Sequence, residues 1–294
     1  MAPRGQLLAV AKQSIDEFLS SSTGFRVVHS VSPNQPSAAS GRPRTLFILD
    51  SSFNPPSIAH LSLVTSALRA AASAQKQRYP GPHRLLLLFS VHNADKSPAP
   101  ATFEQRLAMM MLFAEDIVTR MQAARNKLPE ADIDVGLTTK PYYNDKSTAI
   151  EMDGVYEGTP EHVHLVGYDT FVRIFEPKYY AMHSPPLSAL ASYFNRHGLR
   201  VTLRPEEKWG GNEEQAKFWE KLRDGDMEGD GGKSEWADKI EVVESDAEGV
   251  GVSSTQVREA AEHAQWDKVR RMCTESVGPW VHEMKPYEAD VTAF

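Results

Sequence analysis

The sequence has a single cysteine, Cys273, in 294 residues. That excludes an intramolecular disulfide and a zinc site built from several thiolates, and it fits a reducing compartment. A nucleophilic role for Cys273 stays open on composition alone, although a lone cysteine near a helix end is more often simply packed. Positive charge is not in excess either: 32 Lys and Arg against 39 Asp and Glu leave a net charge of -7. A broad nucleic-acid surface needs a basic stripe, so the balance argues against a nucleic-acid partner. A small anionic ligand needs only a few local cations and is not excluded. No apolar run approaches the roughly 20 residues of a membrane-spanning helix. The first residues, MAPRGQLLAVAKQSIDEFLSSS, interrupt their apolar positions with Gln, Lys and Asp. They read as an amphipathic helix rather than a signal peptide. The expectation is a protein of the cytoplasm or nucleus with no membrane partner.

What is present is an ordinary globular composition, 41% hydrophobic and 24% charged, on a chain long enough to bury a sizeable core. Strand-like and helix-like segments alternate along it. TLFILD (45–50), RLLLLFSV (84–91), IDVGLT (133–138), HVHLVG (162–167), GLRVTLR (198–204) and KIEVVE (239–244) read as strands. Helical spacing marks 58–74, 103–121 with Thr102 as N-cap, 169–175, 186–197, 254–263 and 266–273. Such alternation predicts an α/β fold: a Rossmann-like, doubly wound, mainly parallel sheet with helices on both faces. Ligands of such sheets bind beyond the carboxyl ends of the strands. The predicted organisation is an N-terminal helix and flexible, Ser/Pro/Gly-rich connection over 1–44, then one domain over 45–294. An acidic, glycine-rich stretch near 205–238, with DGDMEGDGGKSE at its heart, reads as a mobile insertion too polar to bury.

Three apparent motifs fail on spacing or context. GGKS (231–234) would be a phosphate loop only with Gly at 227, where Met227 stands. Gly249, Gly251 and Ser254 imitate a dinucleotide fingerprint without its third glycine. His162 and His164 share one face of a strand, but two histidines make a weak metal site.

Two stretches carry a chemical signal. LFILDSSFNPPSIAH runs from a strand through a turn of small residues and prolines into a helix start, where Ser57 and His60 share one face. A helix N-terminus offers free N–H groups and a partial positive charge, and so attracts anions. GVSSTQVREA (251–260) repeats the arrangement: Ser253, Ser254 and Thr255 open a helix and Arg258 stands in its first turn. An Arg there opposes the helix dipole, which a bound polyphosphate would offset. Capped helices with a surface histidine and a solvated arginine would account for the same residues without a ligand.

Together these stretches resemble the nucleotidylyltransferase superfamily that carries the "HIGH" signature. SFNPPSIAH is similar to its first signature and SSTQVR to its second. The wording is closest to the nicotinamide mononucleotide adenylyltransferases, in a divergent, fungal branch. The resemblance extends to VHNADK (91–96), EQRLAMM (104–110), HLVGYDTF (164–171) and GLRVTLR (198–204). It thus spans 45–273 apart from the insertion. Ser51 stands where that family usually has glycine.

The resemblance implies a nucleotidyltransferase with ATP and nicotinamide mononucleotide as substrates, giving NAD and pyrophosphate by in-line attack on the α-phosphorus. It implies His60 and Ser57 at the ATP phosphates, and the backbone of Ser51, Ser52 and Phe53, with Asn54 in the same turn, at phosphate. Lys96 would act as a point charge, and Arg106 would bind phosphate or orient Lys96. Gly167 and Asp169 would hold a nucleotide ribose or ring. Ser253, Ser254, Thr255 and Arg258 would hold the triphosphate, with Arg258 on the departing pyrophosphate. Tyr142 or Tyr143 would supply the aromatic face for the acceptor ring. Mg2+ is implied as an ion held by substrate and water, with no protein metal site. Two alternatives remain open: a sister transferase with another acceptor, and a degenerate relative that binds or hydrolyses ATP and acts through protein partners.

Overall fold

The computed structural model describes residues 4–33, 42–73, 78–91, 100–124, 128–204 and 210–288. Among them, seven strands form one sheet: β1 (Phe25–Val31), β2 (Thr45–Asp50), β3 (His83–Ser90), β4 (Asp132–Thr138), β5 (Glu161–Gly167), β6 (Gly198–Thr202) and β7 (Ile240–Val243). Their order is β1-β4-β3-β2-β5-β6-β7. Every pairing is parallel except β1 with β4, which is antiparallel. The fold is α/β and doubly wound, with helices on both faces of a mainly parallel sheet.

The helices are α1 (Arg4–Ser20), α2 (Ile58–Ala72), α3 (Phe103–Ala123), α4 (Tyr143–Asp153), α5 (Tyr168–Ile174), α6 (Ala191–Phe194), α7 (Asn212–Arg223), α8 (Ser254–Glu262), α9 (Trp266–Met272) and α10 (Val277–Met284). Parallel strands covered on both sides need apolar residues at successive positions, and alternation decides which layer each enters. Phe47, Leu49, Leu85, Leu87 and Phe89 face the larger core, shared with α1, α2, α3 and α8 to α10. Leu46, Ile48, Leu86 and Leu88 face the opposite layer, with Ala149 and Ile150 of α4. A third cluster joins β6 and β7 to α5, α6 and the segment around Trp236.

Several boundaries differ from the sequence reading. β1 falls within 1–44, where only a helix and a connection were expected, and extends the sheet; as an edge strand with mostly half-exposed residues it carries no clean apolar pattern. Within 186–197, a 3-10 turn precedes the four-residue α6 instead of one long helix. The stretch expected to be a mobile, unburied insertion folds from residue 210 onward. α7 buries Leu222 and Gln215, and Trp236 is 2% exposed among aromatic neighbours. A few large side chains anchor a segment whose average composition is polar. α4, which begins in YYNDKSTAIE and runs on to Asp153, and α10 are helices that sequence periodicity does not mark.

Candidate active site

The parallel strands wind in opposite directions away from the β2–β5 pair, so the crevice of such a sheet opens there, at the carboxyl ends. A cleft of about 290 Å3 occupies that position. Asp50 and Ser51 at the end of β2, and Gly167 and Asp169 at the end of β5, stand in its wall.

After β2 the chain turns sharply. The backbone conformation unusual for an L-residue falls on Phe53, at φ 44, rather than on Ser51, so the serine in the usual glycine position needs no positive φ. The Phe53 side chain is fully buried against His60 and Phe113, which holds this conformation in place. Ser57 then caps α2 in extended geometry. Its backbone N–H donates to His60 Nδ1 at 3.1 Å, and its hydroxyl lies 3.1 Å from the same nitrogen. A backbone N–H can only donate, so Nδ1 accepts and the ring proton sits on Nε2. Nε2–H donates to Ser51 Oγ at 3.0 Å. The imidazole thus directs a donor toward the mouth of the turn. Ser57 lines the cleft although it is 0% exposed, and its hydroxyl is already engaged as an orienting partner of His60.

The second helix start abuts the first. Ser253 caps α8 by accepting from Gln256 N–H at 3.3 Å. Ser254 Oγ donates to the carbonyl of Pro55 at 2.8 Å. Arg258 Nη1 donates to the carbonyl of Asn54 at 2.8 Å, and Nη2 to Thr255 Oγ1 at 3.0 Å. His60 and Arg258, distant in sequence, are therefore both tied to the turn of residues 51–57. Gly249 permits this approach, since a Cβ there would lie 2.8 Å from Ser62 Cβ on α2. Gly251 turns the chain into α8 at φ 72. These two glycines, which imitate a dinucleotide fingerprint in the sequence, serve close packing and a turn.

Of the remaining sequence candidates, Ser51, Ser52, Gly167, Asp169, Ser253 and Ser254 line the cleft, as do Tyr142 and Tyr143. Phe53, Asn54, Thr255, Arg258 and Arg106 do not. Asn54 is 4% exposed and holds the turn together through its carbonyl and side chain. Arg106 is 6% exposed, with its guanidinium 5.0 and 4.7 Å from the ring centroids of Phe89 and Phe103, which meet each other edge to face. Burial lowers its pKa. That aromatic corner, not the cleft, receives its guanidinium. Lys96 lies outside the described residues. Burial pushes the Cys273 thiol up to about 12, which leaves it protonated and inert at neutral pH.

Sequence reasoning missed other parts of the wall. Asp50 pairs with Lys146 of α4, both nearly buried, and the Lys146 ammonium also sits 5.1 Å from the centre of the Tyr143 ring. Tyr179 and Tyr180 join Tyr142 with ring centroids 6.5 and 5.9 Å apart, making an aromatic wall of tyrosines. Arg204, at the end of GLRVTLR, lines the cleft and donates to the carbonyl of Val252 at 3.1 Å. Its own N–H is held by Gln215 of α7 at 2.9 Å, so the polar insertion supports the site. A charged residue at the carboxyl end of a parallel strand was the available signal for Asp50 and Arg204.

No family model matches the chain. A curated protein of Schizosaccharomyces pombe named "Putative nicotinamide mononucleotide adenylyltransferase" is 28% identical over 245 residues, 83% of this chain and 86% of its own. The chain resembles the nicotinamide mononucleotide adenylyltransferases. The likeness carried by SFNPPSIAH and SSTQVR is thus matched along most of the sequence. Among solved structures, the nicotinic acid mononucleotide adenylyltransferase of Plasmodium falciparum complexed with NaAD is 10% identical. It aligns with 83% of this chain and 97% of its own at a TM-score of 0.48.

Proposed function

We propose that the protein is a nucleotidyltransferase that joins ATP to nicotinamide mononucleotide, forming NAD and pyrophosphate. The observation that carries the reading is the abutment of two helix N-termini on one crevice, tied by Ser254 to Pro55 and by Arg258 to Asn54. Helix-start N–H groups, serine hydroxyls and an imidazole N–H then border the volume a polyphosphate would fill, with the Arg258 guanidinium behind the 51–57 turn that forms its wall. The name of the S. pombe relative supports the same reading of the acceptor.

In the proposed reaction an oxygen of the mononucleotide phosphate attacks the α-phosphorus of ATP. The bond from that phosphorus to the bridging oxygen of the β-phosphate breaks, and pyrophosphate leaves. Such transfers need positioning and neutralisation of developing charge rather than a covalent enzyme intermediate. His60 Nε2–H, held by Ser57, is aimed to donate to an oxygen of the reacting phosphate. The helix start at Ser253 and Ser254, with Arg258 beside it, favours the leaving pyrophosphate. Asp169 suits a ribose hydroxyl, and the tyrosine wall suits a flat ring. Magnesium arrives as part of the ATP complex.

The test is to incubate the purified protein with ATP, magnesium and nicotinamide mononucleotide, following NAD and pyrophosphate together. Equimolar NAD and pyrophosphate are expected. ATP hydrolysis without NAD would overturn the reading in favour of an ATP-binding relative, and turnover of a different acceptor would assign a sister transferase. Nicotinic acid mononucleotide belongs in the same acceptor series.

A further inference from the structure

The segment after α10 takes no part in either signature, yet it reaches the catalytic turn. α10 seats Val277, Trp280 and Val281 in the larger core, and the chain leaves it through Lys285 at φ 48. Tyr287 then points inward, 7% exposed. Its hydroxyl donates to Asn54 Oδ1 at 3.0 Å. The carbonyl of the same Asn54 takes Arg258 Nη1 at 2.8 Å. One buried asparagine therefore joins a phenol near the chain's end to the guanidinium beside the helix start at Ser254.

We propose that Tyr287 is a positioning residue for nucleotide binding and transfer, acting through Asn54 on Arg258. The inference rests on reading the cleft as an ATP site. The physical argument concerns direction. A phenol needs only its ring to pack, but its hydroxyl here fixes the Asn54 side chain. With that side chain held, the Asn54 peptide plane keeps one orientation and its carbonyl stays aimed at Arg258. Arg258 is long and half-buried, and its guanidinium has two anchors: Thr255 Oγ1 on its own helix and the Asn54 carbonyl, which is the one that ties it to the 51–57 turn. Loss of the phenol hydroxyl frees the Asn54 side chain and loosens the anchor that ties Arg258 to the turn, leaving the one to Thr255, without emptying any core volume.

Tyr287→Phe in the full chain tests this, with Michaelis parameters for both substrates, a thermal melt, and calorimetric titration with magnesium and a non-hydrolysable ATP analogue. The expected result is a fall of about 3- to 10-fold in kcat/KM for ATP, the scale of one net hydrogen bond. The KM for the mononucleotide stays near wild type, and the melting temperature falls by only a few degrees, because Asn54 Oδ1 is left buried without its donor. In an Arg258→Lys background the same substitution loses most of its effect, because its target is gone. Wild-type parameters in Tyr287→Phe overturn the proposal, as do equal changes in both KM values or an effect that persists unchanged with Arg258→Lys. If the wild-type protein makes no NAD, the proposed reaction falls by itself. Weaker analogue binding by Tyr287→Phe, abolished by Arg258→Lys, still supports the positioning role; unchanged binding overturns it. If the wild type binds no ATP analogue, both readings are overturned.

Discussion

His60 accepts on one ring nitrogen from the Ser57 backbone and donates from the other toward Ser51. The two contacts have different consequences when removed. His60→Ala deletes a donor aimed at the reacting phosphate, and one such preorganised donor is worth about 100- to 1000-fold in kcat. NAD formation should fall by that order, with a far smaller change in ATP affinity. Ser57→Ala leaves the backbone N–H on Nδ1 and removes only the hydroxyl contact, so a loss of roughly 10-fold or less is expected. Steady-state NAD formation by the two variants checks the ordering. Equal losses would mean that Ser57 Oγ contacts substrate directly, against its burial. The adjacency of Ser57 and His60 was legible because it is local: a cap and a residue three positions on are neighbours whatever the rest of the chain does; that one holds the ring of the other was not, because the sequence offers both simply as donors to phosphate.

At the scale of elements, the site joins two kinds of information. The turn into α2 and the start of α8 are each written in a few consecutive residues, and both could be read from the sequence. The opposite wall is not local. Asp50, Lys146, Tyr179 and Arg204 come from four elements, and only the strand order brings them together. α4 was hidden because its buried positions are Lys146, Ser147, Ala149 and Ile150, a polar and small set without an apolar stripe. β1 was hidden because an edge strand needs no such stripe. Lys146 makes α4 testable. Its ammonium pairs with Asp50 where both side chains are under a tenth exposed. Removing one partner of a buried pair strands the other charge at a cost of about 3–5 kcal/mol. Lys146→Met should lower the urea unfolding free energy by that amount, and adding Asp50→Asn should restore most of it. A single variant as stable as wild type would show that the pair is not buried in solution.

For the molecule as a whole, the two faces of the sheet do different work. One face carries the large core and the paired helix starts. The other carries α4 and α6 over β5, with a histidine cluster packed between them, His162 stacked on His197 at 4.2 Å. The spacing of His162 and His164 put them on one face, as the sequence implied, and burial explains why they are there as neutral rings. His162 N–H donates to His197 Nδ1 at 3.1 Å, which requires that nitrogen to be unprotonated. Burial holds His162 and His164 well below the usual histidine range, and lowers His197 to about 4. Arg196 and Lys239 act on His197 in the same direction as burial, and the Glu151 carboxylate stands 3.3 Å from its Nε2. A histidine whose folded pKa is depressed stabilises the fold above its unfolded value near 6.5 and loses that contribution as pH falls toward the folded value. In that interval the unfolded chain binds more protons, so stability declines by about 1.4 kcal/mol per pH unit for each such histidine. Urea unfolding from pH 7 to 4 should therefore show a steep acid limb. His197→Asn, which keeps an acceptor near the Nδ1 position, should make that limb shallower by up to one proton between pH 6.5 and about 4, even if packing losses lower stability at pH 7. An acid limb of undiminished slope in His197→Asn would mean that this imidazole already titrates normally in the folded protein, and that the cluster is open to water.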